Sequence, residues 1–380
     1  MTDQWCILDD MFPNVLSAFR VAEYNAYLTA SPGLTIFSSH PSLPQFKVTY
    51  AGLYPEFAER VQPLTDQAVA GHRFAYLIFL NNVNRFLNGL QLFKMPFAFT
   101  LYPGGGFGLN EAESDAKLLR VTASNLLQGV LATQTVTDAY LAEKAPHVPR
   151  DFVFGGVIHP AYFTAEHQVE ATHRPRYGRD KPHFDVCFVA EKYMPDGANK
   201  GWPVFAAAAQ QLIAGCQDIR LHVIGGFGEE DLPGCTLPLE RVILHGRVQT
   251  HTLRRLLLQM DAIVSPNEPF KLHPGNFDGF PTGCCVEASL CGAAMMISDV
   301  LGMNCIYRDG EDIGLIEPNV PSLVHRVLEF ARDPDELARI GEAGRRVTHA
   351  ALHPALQIGR RKAFLSAAAA RAGVSLGLGD

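Results

Sequence analysis

The chain alternates short apolar runs with stretches whose apolar side chains recur every three or four positions. Runs of strand length occur at 5–10 (WCILDD), 34–39 (LTIFSS), 74–80 (FAYLIFL), 96–103 (PFAFTLYP), 129–134 (GVLATQ) and 151–157 (DFVFGGV). Between them the spacing turns helical. Pro13 and Asn14 stop the first run, after which Val15, Ala18, Phe19, Ala22 and Ala26 form one apolar stripe. A helix-like NVNRFLNGLQLF separates the third run from the fourth. Continuous apolar runs of this length suit strands buried on both faces, and their alternation with helices predicts a parallel, doubly wound sheet. Residues 40–72 are proline-rich, and only a short helix near 56–61 is expected there.

After Pro160 the pattern lapses. Residues 167–183 (HQVEATHRPRYGRDKPH) are polar, contain two prolines and show no periodicity, which marks a linker. A second alternating set follows, with strands expected at 184–191, 220–226, 241–246, 262–266, 294–299 and 314–318. Helices are expected at 201–215 and 252–260, and a long helical tract closes the chain. The expected fold class is therefore α/β, with an N-terminal domain over 1–165, a linker over 166–183 and a second domain over 184–350. A helical tail over 351–380 is placed to pack back toward the N-terminal domain. Two domains also fit a chain of 380 residues at about 150 residues per domain.

Composition narrows the classes. Hydrophobic residues make up 47% and charged residues 19%, enough for two ordinary cores and too apolar for a disordered chain. The net charge of −7 gives no general attraction to nucleic acid or anionic membranes. Cysteines stand at 6, 187, 216, 235, 284, 285, 291 and 305 without a CxxC pair, as expected of reduced thiols and of no zinc site. The N-terminus carries Asp3, Asp9 and Asp10 and no basic segment, so no signal peptide is expected. No apolar run reaches the ~20 residues of a membrane span. The expected location is the cytoplasm, with peripheral association at the inner face of a membrane as a further expectation.

Candidate chemistry concentrates at 276–292, NFDGFPTGCCVEASLCG. Asp278 and Glu287 flank a Gly-Phe-Pro-Thr-Gly turn, and the small-residue run behind it has the length of a buried helix over about 282–291. Glycines 279 and 283 let backbone pass close to a ligand, and a helix start offers unpaired N–H groups to an anion. Amides for phosphate and carboxylates for hydroxyls together suit a nucleotide sugar. The plainer alternative is a Gly/Pro turn with one solvated Asp and a Glu stabilised by the helix dipole.

Other features fall at consecutive strand ends of the second half. Lys192 and Lys200-Gly201 follow 184–191, GGFGEED with Gly226 follows 220–226, and Gly246-Arg247 follows 241–246. A lysine at a helix start can reach a diphosphate as a mobile point charge. Open α/β sheets place ligands at such strand ends. No GxGxxG follows either first strand, which argues against a nicotinamide enzyme.

The order FVAEKY…NKGW, RLHVIGG, VILHGRV, DGFPTGCCVEASLCGAAMMISD and DGEDIGLI resembles the nucleotide-sugar domain of family 4 retaining glycosyltransferases of GT-B architecture. The resemblance covers roughly 184–346; the N-terminal half is similar only in its alternation. It implies two Rossmann-like domains facing a cleft and a retaining hexosyl transfer from a nucleotide sugar to a glycan or other acceptor, of the kind used in polysaccharide biosynthesis. Lys200, and Lys192 standing in for an arginine, would contact the diphosphate, Glu287 the ribose hydroxyls and Asp278 the transferred sugar. Phe280, Pro281, Thr282 and Gly283 would line the donor with backbone groups, with Arg247 and Val248 beside the base. The resemblance also implies front-face substitution without an enzyme nucleophile, obligatory metal or cofactor. Two departures stand out: the family has Glu where this chain has Asp278, and the spacing to Glu287 is one residue longer. On the acceptor side, the residues singled out are Gly104, Gly105 and Gly106 after the 96–103 strand, with Asp10 and Arg20 at the first strand-to-helix turn. A nucleotide-sugar epimerase and a non-catalytic nucleotide-sugar-binding protein of the same fold are the alternatives.

Overall fold

The computed structural model describes residues 4–232, 238 and 240–379; Asp3 and Cys235 lie outside the described residues. The chain divides into two compact units. The first comprises residues 1–159, 274–279 and 354–380, and the second 160–273 and 280–353.

In the first unit seven strands form one parallel sheet: β1 (Trp5–Asp9), β2 (Leu34–Ser38), β3 (Val61–Pro63), β4 (Ala75–Ile78), β5 (Phe97–Leu101), β6 (Leu127–Ala132) and β7 (Arg150–Phe152). Their order is β3-β2-β1-β4-β5-β6-β7, so the winding reverses between β1 and β4. The proline-rich 40–72 segment holds more structure than its sequence suggested. A helix, Leu43–Leu53, starts with a proline in its first turn, and β3 adds the edge strand. A proline removes no hydrogen bond at a helix start, which is why the composition misled. The core gathers Trp5, Ile7, Ile36 and Tyr76 from the strands with Tyr24 and Tyr27 from the helix Ala18–Ala30.

The closing helix Pro354–Arg371 completes this unit. Phe364, Leu365, Ala368 and Ala369 enter its core, while Gln357 and Arg361 donate to the Phe154 and Gly155 carbonyls.

The second unit carries a six-stranded parallel sheet: β8 (Phe184–Ala190), β9 (Ile219–Gly225), β10 (Val242–Gly246), β11 (Ala262–Ser265), β12 (Ala294–Ile297) and β13 (Gly314–Leu315). The order is β10-β9-β8-β11-β12-β13, reversing between β8 and β11. Aromatic packing of Phe188, Trp202, Phe205 and Phe227 fixes the helix Trp202–Gly215 on β8. The expected linker over 166–183 is instead part of this unit. Thr164 caps a helix, Ala165–Thr172, by accepting from the His167 amide. Buried Arg174 then donates to the carbonyls of Met260 and Gly292, an anchoring role that a polar sequence does not reveal. No helix among the described residues is long and apolar enough to cross a membrane.

Candidate active site

The helix Gly283–Leu290 begins at Thr282, whose hydroxyl makes no capping bond to the backbone. It lies instead 3.2 Å from the sulfurs of both Cys284 and Cys285. The helix start therefore keeps backbone N–H groups uncapped by a side chain, the arrangement that favours an anion. Gly283 is exposed, with open space where a side chain would stand.

Glu287 projects from the second turn and is only 8% exposed. Burial pushes its carboxyl up to about 8, and charge on Cys284 pushes in the same direction. The Tyr162 hydroxyl acts against both, yet without the geometry of a hydrogen bond to any described residue. An acid in this state is mostly protonated at neutral pH.

Lys200 arrives from the other side of the winding reversal. It ends a short 3-10 turn, Ala198–Lys200, set between Gly197 and Gly201, both left-handed. At Gly201 a Cβ would stand 1.9 Å from the Pro266 carbonyl oxygen, so no other residue fits. The lysine is 9% exposed and its ammonium lies 5.2 Å from the Tyr193 ring centre.

Cys284 links these two groups. Its thiol is held below the ordinary thiol range by hydrogen bonding from Cys285, then from Thr282, and by the charge of Lys200. In its neutral form it donates to the Val189 carbonyl at 3.1 Å. Cys284 therefore feels the charge of Lys200, and its own charge acts on Glu287.

Other donor-side candidates already have partners within the chain. Lys192 pairs with Asp231 at 2.5 Å, and Asp231 also accepts from the Gly228 amide. Exposed Arg247 forms a two-pronged pair with Glu191, its Nε 3.1 Å from each carboxylate oxygen. A Cβ on Gly226 would stand 2.9 Å from the Arg247 guanidinium. Val248 is half-buried beside it, while Phe280 and Pro281 are buried.

Asp278 belongs to the first unit. The chain leaves the second unit at His273, lays residues 274–279 on the first, and returns at Phe280. Phe277 packs against Phe107 with ring centres 5.9 Å apart, and the Leu109 amide donates to the Gly275 carbonyl at 2.8 Å. The glycines at 104–106 serve this unit's packing as much as any ligand. The space of a Cβ at Gly105 is filled by Phe79, and that at Gly106 by Asn81. Arg20 and Asp10 sit together at the end of β1, 3.6 Å apart.

Sequence reasoning missed Cys284 and Tyr162. A cysteine just inside a helix start is a recognisable signal for a depressed thiol pKa. Tyr162, more than a hundred residues from Glu287, gives none.

Residues 184–333 match the family of glycosyl transferases group 1. No curated protein matches the chain significantly in sequence. Among solved structures, the chain is similar to HepE of Anabaena in complex with UDP-glucose. That match has a TM-score of 0.66 at 14% identity, covering 96% of this chain and 99% of that one. It is also similar to the sucrose-phosphate synthase of Thermosynechococcus elongatus, with a TM-score of 0.62, 15% identity and coverage of 96% and 100%. A glycosyltransferase of Rickettsia africae gives a TM-score of 0.65 at 13% identity, covering 96% and 98%. These likenesses establish the fold, the two Rossmann-like domains of GT-B architecture.

Proposed function

We propose that this chain, whose residues 184–333 carry a glycosyl transferases group 1 domain on a GT-B fold, transfers a hexosyl group from a nucleotide sugar to an acceptor hydroxyl with retention of configuration. The observation that carries this reading is the start of the helix Gly283–Leu290, which no side chain caps and which holds the buried carboxyl of Glu287 one turn further on, with buried Lys200 at the end of the loop that follows strand β8.

Each group has a role in that reaction. Lys200 and the helix amides bind the diphosphate and stabilise the charge it gains as the anomeric C–O bond breaks. Glu287 accepts from ribose hydroxyls and loses its proton as it does so. Asp278 is assigned to the transferred sugar, and Lys192 can add charge to the diphosphate once released from Asp231. The new glycosidic bond forms on the face the diphosphate leaves, and the acceptor's proton passes to the departing phosphate oxygen. The residues supply position and electrostatics rather than a nucleophile. HepE was solved with UDP-glucose and with UDP and glucose, which favours a uridine donor here too.

A thermal-shift panel of UDP-, GDP-, ADP- and TDP-glucose tests donor binding, because a ligand of the folded state raises the melting temperature. Incubation with and without acceptor sugars then separates transfer from epimerisation. A donor-dependent shift, and a product formed only with acceptor, are expected. Conversion of the donor alone contradicts the transferase reading.

A further inference from the structure

Two strand runs of the second unit carry a histidine inside an apolar pattern, RLHVIGG and RVILHG. The fold brings the two rings together. His222 on β9 and His245 on β10 stack with ring centres 5.3 Å apart and planes inclined by 12°, and the His222 Nδ1 lies 3.0 Å from the His245 Nε2. On its other side, the His222 Nε2 lies 2.9 Å from Asp185 Oδ1 on β8. Asp185, His222 and His245 thus form a row across three adjacent strands, from a buried carboxylate to a half-buried ring at the edge of the sheet.

The inner end fixes the direction of the bonds. Burial alone would raise the Asp185 carboxyl, yet hydrogen bonds from His222, Arg220 and Lys181 hold it below the usual carboxylate range. Arg220 Nε stands 2.7 Å from Oδ1 and Lys181 Nζ 2.7 Å from Oδ2. Lys181 also reaches Asp261 at 2.8 Å, and Arg174 lies 3.6 Å from Asp261. An ionised carboxylate only accepts, so His222 donates from Nε2 and keeps a lone pair on Nδ1. His245 donates into that lone pair from its own Nε2. Around the pair, then, three cations (Lys181, Arg220 and Arg174) face two anions (Asp185 and Asp261), a balance that opposes further positive charge. Burial, and then the His222 ring beside it, lower the His245 value from its ordinary 6.5.

The outer end sits at a break in the sheet. β10 is an edge strand, paired with β9 alone. Leu244 pairs with Val223 and Gly246 with Ile224, which leaves His245 as the extra residue of a β-bulge, followed by Gly246 at a φ of +64°. A bulge bends its strand and re-aims one side chain. Here the re-aimed side chain is the one bonded to His222. Arg247 comes next, at the carboxyl edge where doubly wound sheets take ligands, in its two-pronged pair with Glu191 just after β8. The bond that holds the bulge therefore also sets where Arg247 stands. Protons decide whether that bond holds. One proton added to the pair still leaves an N–H facing a lone pair, whichever ring takes it. Two leave N–H facing N–H at 3.0 Å, and no hydrogen bond remains.

We propose that His222 and His245 are positioning residues for donor binding: their bond holds the end of β10 in place, and a second proton on the pair releases it and weakens the nucleotide sugar in acid. This rests on the transferase reading above. The test follows the ring signals of isotope-labelled histidine in the full chain by NMR from pH 8 to about pH 5, the range in which imidazoles charge. The His245 signal is the one missing from His245→Gln, and the His222 signal the one missing from His222→Gln. The two rings should titrate together in two steps. Isothermal titration of the nucleotide sugar that shifts melting most is run over the same range. A glutamine amide both donates and accepts, so in His245→Gln it follows His222 through its protonation. That variant should match the unmodified chain at pH 8 and bind the donor about tenfold more tightly than it at pH 5. Glu287 acts on donor binding equally in both proteins, so the ratio between them is the readout. His245→Leu makes no such bond and should bind the donor about tenfold more weakly already at pH 8. Should it fold poorly, the ring titration and His245→Gln carry the test. Two rings that titrate independently, each in one step, or a His245→Gln that tracks the unmodified chain into acid, would overturn the assignment. Absence of any nucleotide-sugar binding at pH 8 would instead overturn the transferase reading, and this gate with it, while the ring titration still reports the pair.

Discussion

Each unit buries a glutamate, and the two are buried differently. Glu23 in the first unit is fully enclosed, yet both its oxygens are occupied. Oε1 accepts from the hydroxyls of Tyr27 at 2.9 Å and Tyr76 at 2.6 Å, Oε2 accepts from Tyr102 at 2.8 Å, and Arg361 lies 3.9 Å away. Tyr76 on β4, Tyr102 just after β5 and Arg361 on the closing helix converge on this one carboxylate from distant parts of the chain. Glu287 in the second unit faces a tyrosine whose hydroxyl falls short of hydrogen-bond geometry and a cysteine whose charge raises its pKa. A carboxylate whose bonds are all made inside the fold holds the fold together. Glu287 makes no such set of bonds, which leaves its carboxyl available for the ligand role proposed for it.

The sharpest way to break the comparison is to truncate both residues. Glu23→Ala should cost ~3–5 kcal/mol of unfolding free energy, because it leaves Arg361 buried without its counter-charge and strands three hydroxyls. A urea melt reads this directly. Glu287→Gln should leave stability unchanged or raised at pH 8 and still abolish transfer. If the two variants lost equal stability, the distinction between structural and functional burial would fail.

Next in size is Lys200→Ala. Transfer should fall about a hundredfold, equivalent to ~3 kcal/mol of transition-state stabilisation, with the melting temperature of the free protein little changed. Steady-state rates with saturating donor check this.

Stability should also depend on pH through Glu287. Its folded value of about 8 lies above the ordinary 4.5, so between these values the folded state holds a proton that the unfolded chain has lost. Its contribution therefore falls as pH rises from about 4.5 to 8 and levels off above that. Glu287→Gln should remove this part of the slope in urea midpoints taken across the window. An unchanged slope would show that the carboxyl is not the group responsible.

The smallest effect expected is on Cys284. Because Lys200 helps hold its thiol below the usual range, the pH midpoint of iodoacetamide labelling at Cys284 should move upward in Lys200→Ala. Cys284→Ser identifies the signal.

Much of this was legible in the chain. Apolar runs such as FDVCFVAE and AIVSP became β8 and β11, and the small-residue run after Gly283 became the helix that carries Glu287. Local pattern suffices where a strand is buried on both faces. What was hidden depended on partners far away in sequence. The 167–183 stretch looks like a linker because its helix is short and its anchor is a single arginine bonded to carbonyls of residues 260 and 292. Asp278 reads as continuous with Glu287, but the anchoring of Phe277 on Phe107 places it with the first unit. The resemblance puts Lys192 at the diphosphate and Arg247 beside the base, and it gives no sign that Asp231 and Glu191 engage them. The triple glycine reads as an approach for a ligand, and Phe79 and Asn81 show that two of its members make room for neighbours.

The account turns on Glu287 waiting in its protonated form for sugar hydroxyls. Isothermal titration of the tightest-binding nucleotide sugar at pH 7, in two buffers of different ionisation enthalpy, measures the protons exchanged on binding. The expected result is release of about one proton per donor bound, since hydroxyls that donate to a carboxylate favour its charged form, and none in Glu287→Gln. Binding enthalpies independent of buffer, or proton release that survives in Glu287→Gln, would contradict it.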